Sequence, residues 1–235
     1  MRLYIIRHAD PDYENNTITQ DGHKEAQALS KRLAVHGLDK IYCSPFQRAI
    51  DTMKYTLDLL KLDYNIEHWT KELWPELELA GTPWGDIMAV DVPGEIIRCE
   101  EEMPTNNNWH DSSAFKNYNI IDVYRKLVNS SDEFLERHGY AREGGRYRCI
   151  SPNEEKIAVF CHGGFGLTWL AHLLEIPVSL VWSGFWLPPS SVTTILFEQR
   201  SPDWAVPRCI GMADVSHLYA EGLPVKPRGI IANFY

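Results

Sequence analysis

The sequence predicts a three-layer α/β/α fold around a mainly parallel central sheet. Two short apolar runs without polar interruption, residues 3–6 and 157–161, have the pattern of strands buried on both faces. Between the first such run and residue 69, strand-like and amphipathic helical stretches alternate, as parallel crossovers require. The chain has 235 residues, 44% hydrophobic and 23% charged, enough to cover both faces of a sheet.

The first strand, Leu3-Tyr4-Ile5-Ile6, stops at Arg7-His8 and runs into a loop with Asp10, Pro11 and Asp12. Thr19 caps a helix in which Ala26, Leu29 and Leu33 recur at helical spacing, and Gly37 stops it. A second strand covers 40–43. Ser44-Pro45 then opens a second helix, serine as cap and proline at the first helical position, with Ile50, Met53, Leu57 and Leu60 as its apolar stripe. A third strand is expected at 65–69. The alternation then breaks, and residues 73–119 carry Trp74, Trp84 and Trp109, prolines at 75, 83, 93 and 104, and the acidic run Glu100-Glu101-Glu102. This stretch is too apolar for a linker and too irregular for a layer. It reads as the start of a cap-like insertion, about 73–155, over the C-terminal edge of the sheet, with the acidic run as a solvated face. Within it, 120–138 is a helix with Val123, Leu127, Phe134 and Leu135 facing inward, and 142–152 is a loop or small hairpin. The strand at 157–161 ends at His162 and is followed by Gly163-Gly164-Phe165-Gly166 and a helix to Leu174. A strand at 192–197 and an edge strand at 205–210, placed at an edge because it contains Pro207, complete a single domain over 1–235.

A formal net charge of −9 argues against a broad nucleic-acid-binding surface. The five cysteines (43, 99, 149, 161 and 209) are scattered, without a Cys-x-x-Cys pair, against a disulfide framework or a cysteine zinc site; Cys43 and Cys161 read as core. No leader pattern and no apolar run near the ~20 residues of a membrane helix is present, so the expectation is a cytoplasmic protein without membrane contact. Oligomeric state is not specified by these features.

In open α/β sheets ligands bind beyond the carboxyl ends of the strands. Arg7-His8 ends the first strand, Arg48 sits on the first helical turn after the second, Glu72 follows the third, and His162 ends the late strand. If those strands are parallel neighbours, two imidazoles, two guanidiniums and a carboxylate share one cleft. That set suits phosphoryl transfer. Two guanidinium forks match phosphoryl oxygens, His8 is a nitrogen nucleophile, and His162, if protonated, adds charge and a donor. Backbone N–H groups around Gly163 add more, and a carboxyl group such as Glu72, with Glu76 and Glu78 nearby, protonates the leaving alcohol.

The N-terminal Arg-His, the Ser44-Pro45-Phe46-Gln47-Arg48-Ala49 helix start and the late His162-Gly163 resemble the histidine phosphatase superfamily, also called phosphoglycerate mutase-like. Thr17-Ile18-Thr19-Gln20-Asp21-Gly22 resembles the family's approach to its first helix, and 214–218 a C-terminal turn of some members. The resemblance implies a phosphatase of small phosphorylated substrates, with no metal and no cofactor. It gives Arg7, His8, Arg48 and His162 the roles above, and its spacing favours Glu72 as the acid over Glu76 and Glu78. It also implies a phosphate-binding asparagine, for which Asn15 is the nearest candidate, one position late. Ala9 replaces the family's usual glycine, adding one methyl where backbone lies near the phosphate and leaving every reacting atom in place. The mutase elements around the nucleophile are missing, which favours hydrolysis over phosphotransfer of the phosphoglycerate mutase type.

Other readings are weaker. A serine hydrolase rests only on His162-Gly163-Gly164, without a Gly-x-Ser-x-Gly elbow, and the Gly-x-Gly-x-x-Gly spacing of a nucleotide site fails. A metal-dependent phosphoesterase using His8, Asp10, Asp12, His162 and His217 would set a cation against two arginines. A catalytically silent binding module would not need both histidines and both arginines. The tryptophans at 69, 74, 84 and 109 read as packing for the insertion. One or two of them at the mouth of the cleft would favour an apolar or aromatic leaving group, with Trp84 the residue to test.

Overall fold

The computed structural model describes residues 1–99, 102–230 and 233–234. In chain order the elements are β1 (Arg2–Arg7), a small ribbon of β2 (Pro11–Asp12) and β3 (Thr17–Ile18), α1 (Gln20–His36), β4 (Lys40–Cys43), α2 (Gln47–Leu60) and β5 (Tyr64–Ile66). A hairpin of β6 (Glu78–Thr82) and β7 (Gly85–Met88) follows, then α3 (Gly94–Ile97), α4 (Ile120–Arg137), β8 (Tyr140–Glu143) and β9 (Arg146–Cys149). The remainder is β10 (Lys156–Cys161), α5 (Gly163–Leu174), α6 (Val178–Gly184), β11 (Val192–Gln199), β12 (Trp204–Asp214) and α7 (Ser216–Ala220).

Eight strands form one sheet in the order β5-β4-β10-β1-β11-β12-β9-β8. The half from β5 to β1 is parallel, and the half from β1 to β8 is antiparallel. The sheet is therefore mixed, and its parallel half holds every strand that the early alternation predicts. β1 lies between β10 and β11, which explains its unbroken apolar run. Leu3 and Ile5 enter one core with Phe134, Trp169 and Ile157, while Tyr4 and Ile6 enter the other with Leu29, Leu33, Met53 and Phe160. The helices α1 and α2 thus cover one face and α4 and α5 the other. The Thr19 hydroxyl accepts from the Gly22 N–H, and Gly37 (φ 71°) ends α1, as the sequence predicts. Cys43 and Cys161 are fully buried, and all described cysteines are free thiols.

The expected insertion at 73–155 is narrower in space. Residues 140–149 join the far edge of the main sheet, where β9 pairs with β12. From the 73–119 stretch, Trp74, Met88, Val90 and Asp91 line the same cavity as Arg7 and Arg48 at the ends of the parallel strands. Of the acidic run, Glu100 and Glu101 lie outside the described residues, and Glu102 is exposed. Pro207 lies in a strand with neighbours on both sides, but β9 reaches only Trp204 and Ala205. Pro207 therefore falls where β12 has no described second partner, and its missing N–H costs no ladder bond there. Among the described residues no helix is long and apolar enough to cross a membrane.

Candidate active site

Three parallel strands, β4, β10 and β1, end side by side, and each delivers one part of the site. The Ser44 N–H donates to the Phe160 carbonyl (2.8 Å) and the His8 N–H to the Cys161 carbonyl (2.9 Å), so the ladder continues into the site residues themselves. The rings of His8 and His162 are 5.2 Å apart and tilted by 58°, both essentially without solvent exposure. The expected convergence of residues 154 positions apart is thus the geometry of adjacent strand ends.

His8 is held in one tautomer. Its Nδ1 lies 2.8 Å from the Ala9 carbonyl, an oxygen that only accepts, so the proton sits on Nδ1 and the lone pair on Nε2. Burial pushes its pKa well below the ordinary value, and the Arg7 and Arg48 guanidiniums push it the same way. Burial, His8 and the same two arginines also lower His162. Burial thus works against the protonated form of His162, the condition on which the sequence reading gave it a charge. Its Nε2 is 2.7 Å from the Ser44 hydroxyl, which also accepts the Phe46 N–H (3.3 Å). Ser44 therefore does not cap α2, whose N-cap is Phe46. A local Ser-Pro pattern reads as a cap, but the hydroxyl goes to the imidazole across the sheet edge.

Arg7, at 7% exposure, has its Nη1 fixed by the carbonyls of Leu187 and Arg228. The Nε groups of Arg7 and Arg48, and Nδ1 of His162, are buried and have no hydrogen-bond partner among the described residues. Burial lowers both arginines, opposed by Glu72 and Tyr13, and Arg48 also lies over the Phe46 ring at 4.9 Å. Gly163 makes the packing of Arg7 possible, since a Cβ there would lie 3.3 Å from Arg7 Nε.

Glu72 sits at the N-terminus of α5. Its Oε1 accepts from the Leu73 (3.1 Å) and Phe165 (2.8 Å) N–H groups, and its Oε2 from Gly164 (3.2 Å). A Cβ on Gly164 would come 2.9 Å from Glu72 Oε1, so a side chain there would push the carboxylate away from its backbone donors. Of the three candidate acids only Glu72 reaches the site; Glu76 pairs with Lys71 and Glu78 is exposed in β6. Asn15 does not reach it: its amide donates to Asp12 (2.8 Å), and the next residue, Asn16, held at φ 51°, lines the cavity instead. The Ala9 methyl is buried in a small cluster with Ile18 and Ala26 and is not part of the cavity wall, so it does not tighten the pocket. Asp10 pairs with Arg228 and accepts from Thr19, Asp12 bonds Asn15, and His217 bonds Ser190. Among the described residues no group of three or more His, Cys, Asp or Glu side chains is placed to hold a metal ion.

These side chains form the polar end of a cavity of about 920 Å³, walled there by Arg7, Arg48, Glu72 and Gly163. The imidazoles of His8 and His162 adjoin that end without lining the cavity. Sequence reasoning missed the opposite end. It comes from α6 and the turn after it (Trp182, Phe185, Trp186), from Asp91 behind the β6–β7 hairpin, and from Gly229 and Ile230. Trp74 also lines the cavity, whereas Trp84 does not; Trp69 and Trp109 pack in the core.

A mixed eight-stranded sheet with helices on both faces and a site at the ends of its parallel strands is the phosphoglycerate mutase-like α/β fold. The sequence profile of the histidine phosphatase superfamily (branch 1) matches residues 3–208, and the chain belongs to that family. Among solved structures, it resembles a phosphoserine phosphatase from Entamoeba histolytica in complex with phosphoserine, at TM-score 0.59 and 16% identity over 92% of this chain and 98% of that one. It also resembles a mycobacterial glucosyl-3-phosphoglycerate phosphatase (TM-score 0.57, 18% identity, 90% and 98% covered) and the α-ribazole phosphatase of Shigella flexneri (TM-score 0.53, 20% identity, 92% and 97% covered). At these identities the likeness establishes the fold. No match was found among curated protein sequences.

Proposed function

We propose that the protein is a phosphomonoester hydrolase that works through a phosphohistidine on His8, without a metal. The observation that carries this reading is the pairing of a bare Nε2 on His8 with two buried guanidinium Nε donors that no described residue satisfies. Catalysis of phosphoryl transfer is largely positioning and charge stabilisation, and Arg7 and Arg48 supply both to the three outer oxygens. His8 Nε2 forms a bond to phosphorus as the bond to the alcohol oxygen breaks. The Nδ1–H bond to Ala9 supports the positive charge that develops on the ring. With the Ser44 hydroxyl donating to Nε2, neutral His162 carries its proton on Nδ1 and offers it to the phosphoryl group. Glu72 gives a proton to the leaving alcohol, from Oε2, the oxygen with the single backbone bond. Water then attacks phosphorus, loses its proton to Glu72, and releases inorganic phosphate and free His8.

The test is covalent labelling. Brief exposure to a ³²P-labelled aryl phosphate followed by an alkaline quench should leave label on the protein that acid releases, and His8→Ala should carry none. A chain that turns over the ester with equal rates in wild type and His8→Ala contradicts the mechanism.

A further inference from the structure

We propose that the physiological substrate is a phosphate monoester of a bulky apolar or aromatic alcohol that carries no negative charge; this rests on the phosphatase reading above. The argument begins with volume. A cavity of about 920 Å³ lies near the top of the ~300–1,000 Å³ range of small-molecule sites, and the phosphoryl group fills only its polar end. The remainder is walled mainly by Trp74, Val90, Leu167, Trp182, Phe185 and Trp186. Two of these are firmly placed. The Trp182 Nε1–H donates to the Thr168 hydroxyl (2.9 Å), and Trp186 Nε1–H donates to the Arg228 carbonyl (2.9 Å), so both rings are preset rather than collapsed. Preset aromatic faces suit rings and branched apolar groups.

Charge sharpens the assignment. Among the described residues the cations lining the cavity are Arg7 and Arg48, both at the phosphoryl end. The other charged groups lining it are carboxylates, Glu72 and Asp91. Two further arginines come close without lining it, Arg98 at the rim beside Ser183 and Arg228 beside Arg7. Arg98 bonds the Ser183 hydroxyl (2.8 Å), and the Arg228 side chain pairs with Asp10, so that only its carbonyl serves the site. A carboxylate on the alcohol, as in phosphoserine or phosphoglycerate, would face Asp91 at an end of the cavity that no described cation lines. Selectivity against such substrates thus comes from a repulsive element as well as from the apolar walls.

The experiment uses two matched pairs of esters with the intact chain. 2-Naphthyl phosphate is compared with phenyl phosphate for size, and 4-carboxyphenyl phosphate with 4-methylphenyl phosphate for charge. The carboxylate does not slow departure of the phenol, so discrimination against it reports the site. We expect kcat/KM at least about tenfold higher for the naphthyl ester, since even one extra methylene in an apolar pocket gives that much. We expect at least about tenfold lower kcat/KM for the carboxylated ester. Asp91→Asn should shrink the charge gap without altering the naphthyl-to-phenyl ratio. Phe185→Ala, at a residue 42% exposed and so safe for the fold, should shrink the size ratio without altering the charge gap. Equal kcat/KM within either wild-type pair, with turnover still dependent on His8, overturns the proposal alone. Turnover of all four esters independent of His8 overturns the phosphohistidine reading and this proposal with it.

Discussion

Removing the Ser44 hydroxyl tests whether the second imidazole is held for catalysis. Among the described residues the His162 ring nitrogens have one hydrogen-bond partner, Ser44 Oγ, 2.7 Å from Nε2, and Nδ1 has none. In Ser44→Ala, Nε2 would be buried without a partner, in a residue with no solvent exposure. Leaving a buried polar group unsatisfied costs about 1–3 kcal/mol. If the bond is worth that much in the transition state, kcat falls by roughly 5- to 150-fold, at 1.36 kcal/mol per factor of ten. The imidazole also loses the group that directs its Nδ1 proton, so the loss should fall on kcat more than on KM. Steady-state kinetics with phenyl phosphate, alongside urea denaturation, separates a positioning defect from simple unfolding. A variant that keeps wild-type stability and a kcat within twofold of wild type would refute this account of His162.

Other outcomes follow from the same geometry. Arg7→Lys should lose about a hundredfold or more in kcat/KM, since one ammonium cannot hold the Leu187 and Arg228 carbonyls and still present a fork; ligand-binding kinetics with phosphate would show the same weakening. Glu72→Gln should slow phenyl phosphate more than 4-nitrophenyl phosphate, because the better leaving group needs less protonation, and equal losses on both would remove Glu72 as the acid. The kcat/KM profile should keep its acidic limb below pH 6.5, because burial and the two arginines lower His8 and the nucleophile must be unprotonated. Stability should also fall as pH drops from about 6.5 to about 4. The unfolded chain then takes up protons on His8, His162 and His217, the last lowered to about 4 by burial, and the folded chain does not. Glu25, raised to about 7 by burial, works in the opposite sense between about pH 4.5 and 7 but is outnumbered. Dialysis against a chelator should leave turnover unchanged.

Arg7, His8 and His162 were legible because each sits where an apolar strand pattern stops, and Arg48 because it opens the helix that follows such a strand; strand ends on one edge of a parallel sheet converge. Glu72 was legible as one of three acids, and its choice by spacing agrees with where its carboxylate lies. What the sequence hid was of another kind. Ser44 obeys a local capping rule and is claimed by a tertiary partner instead. Residues 178–187 contain a short helix and a Pro-flanked turn with no usable periodicity, so Trp182, Phe185 and Trp186 gave no sign of facing the site. Asp91 stands in a single turn between a hairpin and α3. The β8–β9 hairpin could be suspected, but its partner β12 lies more than fifty residues away, and no local signal encodes that pairing. The Arg228 contribution is a backbone carbonyl, which every residue possesses.

That carbonyl joins distant parts of the chain. It receives both Arg7, 221 positions earlier, and Trp186, while the Arg228 side chain reaches Asp10 and Lys226 reaches Asp21. One late stretch thus steadies the Arg7 guanidinium and an aromatic wall of the cavity at once. Because the Arg7 guanidinium and the Trp186 indole meet on one carbonyl, any displacement of residue 228 reaches both ends of the cavity together.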